Sequence, residues 1–136
     1  MDLKAANAVV IDRVKFRIAI LDFGMAVFLD TPLNDPFKMT ENVRAPEIFK
    51  QAYYLPGPAD IFGIAMLMFT VICLQDPFKA DYASVMRSGN KEQIEEYFKT
   101  FHLNLRNQNV DPRAIDIIIA CSNPDPSSRP TIQQLI

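Results

Sequence analysis

Tryptophan is absent from this chain of 136 residues, histidine occurs once, cysteine twice and glycine four times. The lone His102 leaves no imidazole pair to hold a metal and no basis for a histidine-dependent triad. Cys73 and Cys121 each sit inside an apolar run. They read as buried free thiols in a reducing compartment rather than a disulfide or a metal site. The glycines, at 24, 57, 63 and 89, cannot spell Gly-x-Gly-x-x-Gly, so nothing here covers nucleotide phosphates from above. There is no basic run and the formal net charge is −2, which argues against nucleic acid as a partner. A membrane-crossing helix needs ~20 apolar residues. The longest such run, the fourteen from Ile61 to Leu74, falls short, so no membrane partner is expected. The opening residues carry no secretion signal, and the expected location is intracellular, in the cytoplasm.

What is present suits one globular domain. Hydrophobic residues make up 49% and charged residues 22%, and a chain of this length buries roughly two-thirds of its unfolded surface. The stretch Ala59–Leu74 is apolar on all sides and bounded by Pro56-Gly57-Pro58 and Gln75-Asp76-Pro77. It reads as a central helix buried all round, with Asp60 accepting from free backbone N–H groups at its start.

Around that helix the pattern is mainly α with one small β-hairpin. Polar residues 1–7 suit a loop, Ala8–Ile11 a strand, Asp12-Arg13 a turn and Phe16–Leu21 a returning strand. From Met25 to Asn42 no period is sustained, and Thr31-Pro32 and Asp35-Pro36 break any helix. A short helix is expected over Pro46–Gln51 and a connector over Tyr53–Pro58. Asn90 caps a helix that carries Ile94, Tyr97, Phe98 and Phe101 on one face. Asp111-Pro112 opens another with Ile115, Ile118 and Ile119, closed by Pro124-Asp-Pro126. Thr131 starts a last one.

The chemistry rests on a few acids and their neighbours. A hairpin returns its ends to one edge, so Asn7 and Asp22 are expected to face each other. A carboxylate and an amide oxygen with open positions suit Mg²⁺, which keeps waters and takes other ligands from substrate phosphates. Asp2 stands near as a free carboxylate able to orient a hydroxyl nucleophile. Lys4 is placed to neutralise a transferring phosphoryl group.

In order and spacing, these segments resemble the eukaryotic protein kinases of the serine/threonine type. Asp2-Leu-Lys-Ala-Ala-Asn7 is similar to the catalytic loop, Asp22-Phe-Gly24 to the magnesium-binding motif, and Ala45-Pro-Glu47 to the motif that closes the activation segment. Asp60 and its helix resemble the central helix of the C-terminal lobe. Pro77-Phe78 and the run from Asp125 through Arg129-Pro130-Thr131 match landmarks further on. The resemblance covers essentially residues 1–136 and implies a partial kinase domain, the C-terminal lobe. It implies Asp2 as catalytic base, Lys4 on the γ-phosphate, Asn7 and Asp22 on the metal, and Gly24 in the cofactor motif. Thr40 is implied to position Asp2 and Lys4, and Glu47 with Arg129 to form a buried structural ion pair. ATP and Mg²⁺ are the implied cofactors, and a protein the implied substrate. The resemblance makes Thr31 and Thr40 candidate phosphorylation sites of the activation segment, with no basic context at either.

The family's glycine-rich loop, strand lysine and helix glutamate are not found in these 136 residues, nor is the His-Arg before the catalytic aspartate. The expectation is therefore a truncated lobe, inactive by itself, whose exposed face invites self-association or another kinase domain. The alternatives are a non-catalytic lobe acting as decoy or inhibitor of another kinase, and an unrelated helical domain with coincidental motifs.

Overall fold

In a computed structural model that describes residues 2–15, 17–28, 31, 40–50, 54–78 and 80–136, the oily central stretch forms helix α2 (Pro56–Cys73). It begins three residues earlier than Ala59, because Pro56 and Pro58 occupy the first turn, where a missing N–H costs nothing. Leu55 is the N-cap, so Asp60 lies a turn inside the helix and does not cap it, contrary to the expectation. The helix stops at Leu74, which turns left-handed (φ 54°) while its N–H reaches the Thr70 carbonyl at 3.0 Å.

Burial of α2 is one-sided. Ala59, Ile61, Phe62, Ala65, Met66 and Phe69 are buried, but Ile64, Leu67 and Met68 are half-buried and Val71 is exposed. By length and hydropathy alone its 18 residues pass as a membrane span. Its buried face, however, carries much of the core of this fold. Helix α5 (Pro112–Cys121) packs along it, and Phe62 meets Phe98 of α4 (Lys91–Arg106) at 6.0 Å between ring centroids. The expectation of burial on every side fails because the packing helices reach only part of its circumference.

Local chemistry explains the other helices. Asn90 Oδ1 accepts the Gln93 N–H at 2.9 Å to start α4, which buries Ile94, Phe98, Phe101 and Leu105 at helical spacing. Asp111 accepts the Arg113 N–H at 2.9 Å and Pro112 takes the first position of α5. Asp125 opens a 3-10 turn (Pro126–Ser128), and a Thr131–Gln134 capping box starts α6 (Ile132–Leu135). The short α1 (Pro46–Lys50) follows a 3-10 turn at Glu41–Val43.

Helix α3 (Tyr82–Ser88) is the element that the periodicity does not announce. It has seven residues, no side-chain cap, and only Tyr82, Ala83 and Met86 buried, too few repeats for a period to show. Tertiary contacts hold it instead. The Tyr82 ring stacks on Phe78 at 3.9 Å and its hydroxyl donates to the Arg44 carbonyl at 2.6 Å. Gly89 ends it at φ 71°, a conformation a side chain would strain.

The hairpin pairs β1 (Ala8–Asp12) with β2 (Arg17–Ile20), Ala8 opposite Ile20 and Val10 opposite Ile18. An irregularity near Ile11 brings Asp12 opposite Arg17, and Asp12 Oδ1 closes the turn on the N–H groups of Val14 and Lys15 at 2.9 Å each. Expected features at Phe16, Pro32, Asp35-Pro36, Gln51 and Tyr53 lie outside the described residues.

Gly63 explains how the loop at 2–7 is seated on the core. A Cβ added there would lie 3.0 Å from the Leu3 Cβ. Leu3 is buried between the polar Asp2 and Lys4, so the helix backbone is the floor of that loop. Gly63→Val is expected to cost ~1–3 kcal/mol by overpacking, despite a better helix propensity than glycine. Gly63→Ala should stay within ~1 kcal/mol of wild type, because Leu3 has only a few tenths of an ångström to yield. Urea midpoints of the three proteins check the ranking; equal stability of the valine variant would contradict the seating.

Candidate active site

The loop 2–7 folds back on itself before the hairpin begins. The Asn7 N–H bonds the Lys4 carbonyl at 2.9 Å, closing a 3-10 turn (Ala5–Asn7), and the Asn7 Nδ2 donates to the Asp2 carbonyl at 2.9 Å. That second bond ties the Asn7 side chain to the start of the loop. The hairpin then does what its pairing requires: the Asn7 carbonyl accepts the Leu21 N–H at 2.7 Å, one residue beyond β2. Asn7 and Asp22 therefore stand at the same edge.

Asp22 adopts φ 61°, uncommon for a residue with a side chain, and its Oδ1 accepts the Gly24 N–H at 3.1 Å. A Cβ on residue 24 would sit 3.1 Å from that same oxygen, so glycine permits the close turn. The Asp22 side chain is otherwise exposed. Among the described residues no group of three or more Asp, Glu, His or Cys side chains gathers to hold a metal. What the hairpin edge offers is one carboxylate and one amide oxygen.

Asp2 is locked to a residue far along the chain. Its Oδ1 accepts the Thr40 N–H at 3.0 Å and its Oδ2 accepts the Thr40 hydroxyl at 2.9 Å. Lys4 Nζ lies 2.7 Å from Asp2 Oδ2 and 2.7 Å from Thr40 Oγ1. Three side chains thus close a ring, with Asp2 only 11% exposed and Lys4 31%. Partial burial pushes the Asp2 carboxyl up, but the hydrogen bonds from Lys4 and Thr40 outweigh it and hold the group below its ordinary value of 3.8. The Thr40 hydroxyl is committed to this ring, whereas Thr31 is exposed.

The sign of the resulting pH dependence is fixed. A carboxyl depressed on folding contributes stability that is present above its unfolded value and lost as pH falls through its folded value. Stability should therefore drop below about pH 4, and Asp2→Asn should flatten that part of the curve. Urea midpoints between pH 2 and pH 6 test it; parallel curves for the two proteins would contradict the linkage.

Arg129 forms a forked pair with Glu47, each nitrogen 2.7 Å from its carboxylate oxygen, with side chains 1% and 5% exposed. Arg129 also donates to the carbonyls of Asn123 and Pro58 at 2.8 Å each and lies 4.9 Å from the Phe62 ring centroid. It joins α1, the start of α2 and the 123–129 stretch in one contact. Asp60 lies half-buried one turn inside α2.

The model of the family described as "Protein kinase domain" matches residues 1–136, the whole of this sequence. The chain belongs to the protein kinase family. Its relatives include a probable serine/threonine-protein kinase 2 of Plasmodium falciparum, 30% identical over 108 residues, covering 79% of this chain and 20% of that protein. The probable serine/threonine-protein kinase MARK-C of Dictyostelium discoideum is 29% identical over 136 residues, 98% of this chain and 16% of the relative. A probable cell cycle serine/threonine-protein kinase, a CDC5 homolog of Encephalitozoon cuniculi, is 30% identical over 141 residues, 99% of this chain and 27% of the relative. The 136 residues thus span about a quarter or less of these kinases and cover only part of a kinase domain. Kinases of this family in general use ATP with Mg²⁺ and act on protein substrates.

Several residues that secure this kinase loop carry no motif. Arg87 of α3 pairs with Glu41, next to Thr40, and lies 5.8 Å from the Phe49 ring. The buried Arg44 lies over the same ring at 5.2 Å. These contacts brace the segment that delivers Thr40 to Asp2. Only the juxtaposition of α1 and α3 in space marks Arg87; Arg44 differs from its neighbours in sequence by a single charge.

Proposed function

We propose that residues 1–136 are the substrate-facing lobe of a serine/threonine protein kinase, which transfers phosphoryl groups from ATP to protein hydroxyls once the ATP-covering half of a kinase domain is supplied. The Asp2–Lys4–Thr40 ring is the observation that carries the reading. A depressed, hydrogen-bonded Asp2 stays ionised at neutral pH and serves mainly to orient an incoming serine or threonine hydroxyl, taking its proton late. Lys4 is held where it can meet a phosphoryl oxygen, and Thr40 fixes both. Asn7 and Asp22 suit a hard cation through one amide and one carboxylate oxygen. Bound there, Mg²⁺ would offset charge on the transferring phosphates. We place the protein inside the cell, in the cytoplasm, in keeping with its free thiols.

Residues 1–136 by themselves contain no glycine-rich loop and no strand lysine for the phosphates. Losing one electrostatic donor costs ~10²–10³ in rate, and here several are missing together. The expected result is no metal-dependent phosphotransfer by this segment alone, assayed on a serine/threonine peptide library. Turnover abolished by Asp2→Ala would overturn that expectation. Titration with Mn²⁺ tests the metal edge: amide resonances near Asn7 and Asp22 should broaden, and Asp22→Ala should remove the effect. Broadening confined to another region would sink the assignment.

The hairpin surface supports a second reading. Val9, Val10, Ile18 and Phe23 are 42–60% exposed on one small sheet and its exit. Such a surface suits a lobe that docks on another kinase domain as a decoy, or on its own copy. Sedimentation showing a complex, lost in Val10→Lys with Ile18→Lys, would favour it.

A further inference from the structure

We propose that the cleft between Gln75–Phe78, α3 and α4 is a docking groove for a short segment of a partner protein that sets an apolar side chain beside an arginine or lysine. The cleft holds about 630 Å³, a size typical of binding sites. Its floor is aromatic. Phe69, Phe78 and Phe101 line it, with Phe101 5.4 Å from Phe69 and 5.2 Å from Phe78 between centroids. Tyr97, half-buried, forms a wall 6.1 Å from Phe78.

The rim decides the occupant. Asp76, Asp81 and Glu96 border the cleft, and among the described residues no lysine or arginine lines it. Glu96 is already 3.4 Å from Lys99 on an exposed turn of α4, which leaves the two aspartates as the stronger attraction. Lys79, between them in sequence, lies outside the described residues. Gln93, Thr100 and Asn104 continue the α4 side as a polar stripe able to bond a peptide backbone. An aromatic floor under an acidic rim favours a cation lying against a ring, with an aliphatic neighbour filling the floor. Among the described residues none from 2 to 47 lines the cleft, and the proposal does not rest on phosphoryl transfer.

Fluorescence anisotropy with a labelled decapeptide of alternating leucine and arginine provides the test, against the same peptide with glutamate in place of arginine. The arginine peptide should bind at least about tenfold more tightly than the glutamate peptide, and more weakly as salt rises. Asp76→Asn with Asp81→Asn should weaken it by about tenfold and flatten the salt dependence. Thr100→Trp, at an exposed position, should fill the cleft and abolish binding while circular dichroism stays unchanged. No binding by the wild type, or undiminished binding by both variants, would overturn the proposal. So would self-association of the wild type that Thr100→Trp removes, because the occupant would then be a second copy.

Discussion

Arg129→Ala is expected to lower the stability of the folded chain by ~3–5 kcal/mol, the largest loss from any single polar residue here. The reason is what it leaves behind rather than what it removes. Glu47 is 5% exposed, and its two oxygens face the two Arg129 nitrogens at 2.7 Å. Without the guanidinium, that carboxylate must remain charged without its partner or take up a proton, and the carbonyls of Asn123 and Pro58 lose a donor. Arg129→Lys should recover only part of the loss, since an ammonium cannot form the fork. Glu47→Gln should cost less than Glu47→Ala, because the amide still accepts one bond. Urea unfolding of the single and double variants measures the coupling. A double variant no less stable than wild type would mean that desolvation of the pair offsets its attraction, which is possible for buried ion pairs in general. A single variant within ~1 kcal/mol of wild type would contradict the geometry.

Asp2→Asn is expected to reduce phosphotransfer by ~10²–10⁴-fold when residues 1–136 are joined to a kinase upper lobe. The substitution keeps the shape of the ring. An amide oxygen still accepts the Thr40 N–H now bonded at 3.0 Å, but the side chain can no longer receive a proton or answer the charge of Lys4. The loss should therefore fall on kcat, with KM for ATP little changed, because the role proposed for Asp2 is toward the hydroxyl and not the nucleotide. Thr40→Val separates positioning from charge. It leaves the carboxylate in place yet removes the hydroxyl that bridges Asp2 and Lys4 at 2.9 and 2.7 Å. Its effect should be smaller than that of Asp2→Asn and should grow at low pH, where the carboxyl is more easily neutralised. Equal activity of Asp2→Asn and the wild type would remove Asp2 from the chemistry.

The groove beside α4 and the segment that carries Thr40 both meet α3. Val85 of that helix borders the cleft, and Arg87, two residues on, holds Glu41 beside Thr40. A single short helix thus supports both surfaces. It is also the element least visible in the amino-acid pattern, being short, weakly capped and defined by Tyr82 against Phe78.

Legibility followed the range of the forces involved. The hairpin, the caps at Asn90, Asp111 and Thr131, and the buried stripes of α4 and α5 depend on neighbours within a few residues, and the letters alone specify them. The catalytic-loop spacing and the Asp22-Phe-Gly24 turn are local in the same sense. The edge shared by Asn7 and Asp22 follows from hairpin closure, which a strand pattern already contains. The start of α2 differs from the expectation because Pro56-Gly57-Pro58 looks like a connector, yet two prolines fit a first helical turn as readily as a loop.

The order of the chain by itself determined a helical kinase lobe with a small hairpin, since periodicity, caps and motif spacing are written one turn at a time. Only the tertiary structure decided that Thr40 closes on Asp2 across 38 residues, that Leu3 rests on Gly63, and that one flank of α2 stays uncovered. Those outcomes depend on which surfaces meet when distant segments collapse together, and short-range preference carries no record of them.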